Sequence, residues 1–190
     1  MELSDQIRSL DGVPDHGFGP LGGLTHSVLT EYVGAAPTMP HLHLGHNILP
    51  NPPFPWAGQV PMDNPLSVDW RECGADLDAF LRAGARELRS QPTPPISAYS
   101  PETRILQWVL RFDAIAMVWR DPRLAGFSMV ALVVDRAGNC LTGRVPDGGD
   151  ASDIEVVRDE PPAGDDIPVL LHDVLLAQYE WTSAVFGLIP

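Results

Sequence analysis

Apolar positions run longest without interruption between Ser100 and Pro122, SPETRILQWVLRFDAIAMVWRDP, and their spacing predicts a central helix. Ser100 suits the cap, Pro101 the first helical position and Glu102 the positive end, while Asp121-Pro122 ends the run. On a helical wheel Arg104, Gln107 and Arg111 form a narrow polar stripe. Ile105, Leu106, Val109, Leu110, Phe112, Ala116 and Met117 occupy most of the remaining circumference, so such a helix must be covered on nearly every side. Asp113 falls in the middle of that apolar arc, where a carboxylate needs a partner or a raised pKa. Trp108 and Trp119 flank the polar stripe and are expected to pack at its rim.

The same reading divides the rest of the chain. Ser67–Arg89 predicts an amphipathic helix, clearest from Asp76 onward, with Leu77, Phe80, Leu81, Gly84 and Leu88 on its apolar face. Gly126–Asp135 is short, β-branched and apolar, and with Cys140–Val145 it predicts a hairpin whose turn takes its left-handed residue from Gly138. Ile154–Arg158 predicts a third strand. Asp166–Gly187 predicts a helix with Leu170, Leu171, Val174, Leu175, Trp181 and Val185 inward and His172 on the opposite side. Nearer the start, Thr25–Val33 fits a strand or a brief helix, after a glycine-rich lead-in that favours turns.

Between Gly34 and Pro65 the pattern changes, since eight prolines punctuate a segment with almost no charge. Proline at this density removes donors and opposes both helix and central strand, so an extended arm is expected. Its Ile48, Leu49, Phe54, Trp56, Val60 and Met62 predict an arm packed on the body or on a second subunit. The expected fold is α+β: a small antiparallel sheet, made of a hairpin plus a third strand, packed with about three helices and preceded by the proline-rich arm. Residues 1–66 form the arm and residues 67–190 the α+β domain of one structural unit.

Charge narrows the partners. Formal net charge is −13, with twelve basic residues, every one an arginine, against 25 acidic ones. Nucleic acid binding has little to draw on, and a basic protein or cationic small ligand suits the chain better. No segment approaches the ~20 apolar residues of a membrane span, and MELSDQIRSL lacks a signal-peptide pattern, so a cytoplasmic location is expected. Cys73 and Cys140 make no C-x-x-C pair and are expected to be structural thiols.

Candidate chemistry concentrates in Pro40-His41-Leu42-His43-Leu44-Gly45-His46. His41 and His43 share a face of an extended segment, and a turn at Gly45 would return His46 to them, a set suited to zinc or another first-row divalent metal. Water, Asp63 or Asp69 would complete it, and the open position would support metal-assisted hydrolysis. Asp113 with His43 is the corresponding catalytic pair for acid–base work. No nucleophile elbow, phosphate loop or dinucleotide fingerprint occurs.

YVGAAPTMPHLHLGH, residues 32–46, resembles the nucleotide-binding signature of class I aminoacyl-tRNA synthetases. That resemblance implies ATP-phosphate contacts from His43 and His46. The helix that follows in that family is forbidden here by Pro50, Pro52, Pro53 and Pro55, and the second signature requires lysine, which the chain lacks. HLHLGH is also similar to the H-x-H-x-D-H metal motif of metallo-β-lactamase-like hydrolases, with Gly45 where the aspartate belongs. Neither family is assigned. Two functional classes follow: a non-catalytic interaction protein whose arm docks on a protein partner or self-associates, or a small enzyme, with or without a metal, acting on a small organic molecule through the histidines and Asp113.

Overall fold

The computed structural model describes residues 6–49, 57–62, 68–101, 112–158 and 166–186. Its frame is a seven-stranded, wholly antiparallel sheet: β1 (Arg8–Ser9), β2 (His41–His46), β3 (Gly58–Pro61), β4 (Phe112–Trp119), β5 (Phe127–Asp135), β6 (Cys140–Pro146) and β7 (Glu155–Arg158). The spatial order is β1-β3-β2-β4-β5-β6-β7. Helix α1 (Gly19–Tyr32) covers one face, and α2 (Leu77–Ser90) with α3 (Ile167–Phe186) covers the other.

Side-chain alternation along β4 builds both cores. Ala114, Ala116 and Val118 join Leu24, Val28 and Leu29 of α1, whereas Ile115, Met117 and Trp119 join Phe80, Leu81 and Leu88 of α2 and Leu171, Val174 and Leu175 of α3. Small residues let α1 approach closely: a Cβ on Gly143 would stand 2.5 Å from Thr25 Cγ2, and one on Gly45 2.6 Å from Leu24 Cδ2. On the opposite face Arg89 of α2 clamps Asp173 of α3 with two hydrogen bonds of 2.9 and 2.7 Å and reaches Glu180 at 3.2 Å.

Several expected elements are present. Asp76 caps α2 by accepting from Ala79 N at 2.8 Å. The β5–β6 hairpin turns through Gly138 at φ 85°, with Asp135 also holding Asn139 N at 2.9 Å. β7 and α3 lie where the periodicity predicts them.

The expected small sheet and the central helix are corrected. The α+β class holds, but the sheet has seven strands and carries helices on both faces. Residues 112–119, read as the second half of a helix, are β4, all eight residues of which are buried; residues 102–111 lie outside the described residues. A strand covered on both faces loses its apolar–polar alternation, and an unbroken apolar run satisfies a helical wheel equally well. The proline-rich arm is corrected too. β2 and β3 belong to the sheet, and β2 lies between β3 and β4. Pro40 precedes β2 and Pro61 ends β3, positions where a missing donor costs little. Thr25–Val33 forms no strand, because residues 19–32 are helical and begin inside the glycine-rich lead-in, with Pro20 in the first turn.

Candidate functional site

Each residue singled out in the sequence has a distinct setting. Pairing of β2 with β4 shifts register between Gly45 and His46, since Gly45 faces Ala114 and His46 faces Phe112, leaving Asp113 as the extra residue of a β-bulge. The buried Asp113 carboxylate accepts from Ile48 N at 2.9 Å and Leu49 N at 3.1 Å, and so holds the chain as it leaves β2. His43 lies opposite Ala116, three positions along β4 from Asp113. His46 is buried against Phe112, with ring centroids 6.3 Å apart, and fills the space above Gly58, where a Cβ would stand 2.4 Å from His46 Nε2. Burial pushes the His46 pKa down to about 4. His41, half-buried, packs on Tyr32 with centroids 5.2 Å apart. Among the described residues no group of three or more His, Cys, Asp or Glu is disposed to hold a metal ion. Cys73 and Cys140 are both half-buried, and His172, half-buried, has its Nε2 3.1 Å from the Arg136 carbonyl oxygen.

His43 belongs to a polar chain that sequence reading did not find. Its Nε2 lies 2.8 Å from the Tyr32 hydroxyl, and its Nδ1 lies 2.8 Å from Gln59 Oε1. Gln59 Nε2 donates to Glu31 and, at 3.4 Å, to Ser27 Oγ, while Glu31 pairs with Arg8 at 2.7 Å. The Glu31 carboxylate only accepts, so it sets the orientation of the Gln59 amide and turns its oxygen toward His43. In the neutral imidazole, Nδ1 then carries the proton and donates to Gln59, and Nε2 accepts the Tyr32 hydroxyl proton. α1 supplies Ser27 and, one helical turn on, the adjacent Glu31 and Tyr32, and the sheet supplies His43 and Gln59 from neighbouring strands. The only sequence signal was Ser27, Glu31 and Tyr32 as polar positions in a segment read as strand or brief helix. Their partners lie eleven to 32 residues away in sequence.

A cleft lies where β4 ends, against the starts of α2 and α3. It measures about 470 Å³, and Trp70, Leu77, Trp119, Arg120, Asp121 and Asp166 are among its lining residues. Arg123 donates to Asp121 through its backbone N–H at 3.0 Å and its guanidinium at 2.9 and 2.7 Å. Burial by itself would raise the Asp121 pKa, but these bonds and the nearby Trp119 indole hold it below the usual range. Trp119 is buried on the wall of the cleft, its indole close enough to Asp121 to act on that carboxylate. A smaller cavity of about 200 Å³, lined by Met39, Pro40, His41, Leu42, Met62, Val68 and Phe80, lies near the start of β2. His41 pairs with Val118, so β2 begins at the end of the sheet where β4 finishes. No helix among the described residues is long and apolar enough to cross a membrane.

No known family model matches the chain, and comparison with curated proteins and with solved structures finds no match.

Proposed function

We propose that this protein is a binding protein that takes a small organic molecule in the cleft at the end of β4. What carries the reading is a cleft walled by the buried Trp119 indole and edged by Arg120. A volume of about 470 Å³ lies in the range of small-molecule sites. Trp70 offers a second indole, and three of the four lining carboxylates are already engaged: Asp76 caps α2, Asp78 pairs with Arg82 at 2.6 Å, and Asp121 pairs with Arg123. The ligand class that fits is a planar aromatic molecule that packs on the two indoles.

Indole N–H resonances in ¹⁵N-labelled protein test this directly against a library of aromatic fragments. Saturable displacement of the Trp119 resonance is expected, with binding about tenfold weaker in Trp119→Phe, the equivalent of ~1.4 kcal/mol. If the fragments that bind leave this resonance unmoved, or if none binds, the reading fails.

A second reading, attachment to a protein partner or to a second copy of the chain, draws on Met39, which is 40% exposed beside the smaller cavity. Native mass of the wild type and of Met39→Glu tests it: a wild-type oligomer that dissociates in the variant supports self-association.

A further inference from the structure

We infer that Tyr32 is an activated nucleophile, an acyl-accepting phenol served by His43 as its base. This stands apart from the cleft, since none of its residues lines it. Three observations converge. The phenol oxygen is 2.8 Å from His43 Nε2, within reach for direct proton transfer. The base is itself oriented, because His43 Nδ1 meets Gln59 Oε1 at 2.8 Å and Gln59 is held in turn by Glu31. Nucleophile, base and orienting group in series are the arrangement that makes a hydroxyl reactive. Tyr32 is also half-buried rather than sealed, at the last position of α1, whereas His43 and Gln59 behind it are fully buried. A chain whose sole task was to fasten α1 to the sheet would have no need to end on a half-open phenol.

The substrate class is an activated ester. Tyr32 Oη attacks the carbonyl carbon as its proton passes to His43 Nε2. A carbon–oxygen bond forms to Tyr32, the ester carbon–oxygen bond breaks, and the leaving aryl oxide recovers the proton from His43. An aryl ester and the phenol of Tyr32 thus become a tyrosyl ester and a free phenol, with His43 returned to its starting state. Gln59 and Glu31 act as positioning residues, since an amide stands between Glu31 and the imidazole and only orientation is transmitted.

The test uses the intact protein and 4-nitrophenyl acetate. Three tyrosines are present, Tyr32, Tyr99 and Tyr179, all half-buried, and with no lysine in the chain the usual competing acceptor is missing. Acetylation rates at the three phenols are read by peptide mass spectrometry in one sample. Tyr32 is expected to react about a hundredfold faster than the other two, the scale of assistance from a positioned base. In His43→Gln the rate at Tyr32 should fall to theirs, and in Glu31→Gln, whose change lies at the outer end of the chain, it should fall part of the way. Circular dichroism checks that each variant is folded. The wild-type comparison is decisive without any variant: Tyr32 labelled no faster than Tyr99 and Tyr179 overturns the proposal and leaves the chain as a structural tie.

Discussion

His46 gives the sharpest quantitative prediction. Its ring is buried, and its pKa falls from the ordinary 6.5 to about 4 in the folded protein. Below pH 6.5 the unfolded chain binds a proton at this position that the folded protein does not, so stability must fall with acidity. The loss develops as pH drops from 6.5 and is complete below 4. Each pH unit inside that window removes about 1.4 kcal/mol, so the penalty reaches ~2 kcal/mol at pH 5 and about 3 kcal/mol at its limit. The perturbation is His46→Gln, which keeps a neutral polar group and removes the titration. Urea unfolding of wild type and variant between pH 7.5 and 5 is the assay. The variant is expected to be less stable at pH 7.5, because it disturbs packing on Phe112 and Gly58, and to gain about 2 kcal/mol on the wild type by pH 5. His26 is also lowered, by burial and by the charge of His16, but it contributes equally to both proteins and cancels in the difference. Parallel stability curves would refute the assignment of a buried, neutral His46.

Two further perturbations test the frame around the site. Asp113→Asn leaves one oxygen for the two backbone donors of Ile48 and Leu49, and a loss of about 1–3 kcal/mol in chemical denaturation is expected; an unchanged midpoint would mean that the bulge does not depend on the carboxylate. Gly143→Ala drives a methyl against Thr25 Cγ2 and Leu29 Cδ1, which should lower stability by about 1–3 kcal/mol in thermal unfolding. A neutral result there would show that α1 can lift from the sheet without cost.

The local chemistry of turns and caps was readable in advance, because it depends on residues a few positions apart. Asp76 ahead of an amphipathic run and Gly138 between two β-branched stretches mark the ends of elements without reference to anything distant. The candidate site divides in the same way. The histidines of residues 41–46 stood out as chemistry, and the buried setting of Asp113 was expected from the apolar residues around it. Tyr32, Glu31 and Gln59 carried no comparable mark. Each is an ordinary polar residue until α1 is laid across β2 and β3.

Sequence by itself determined the α+β class, the β5–β6 hairpin, the strand at 155–158, the helices that became α2 and α3, and the net negative charge. These follow from periodicity, capping and charge, which are local or additive properties. Only the tertiary structure decided that Phe112–Trp119 is a strand, that β2 from the proline-rich segment lies inside the sheet, and that Asp113 sits in a bulge closing the turn at Ile48. A segment buried on every side has no polar face to reveal its period, so its state is chosen by the hydrogen-bonding partners available to its backbone. For β4 those partners are β2 and β5, one from each half of the chain.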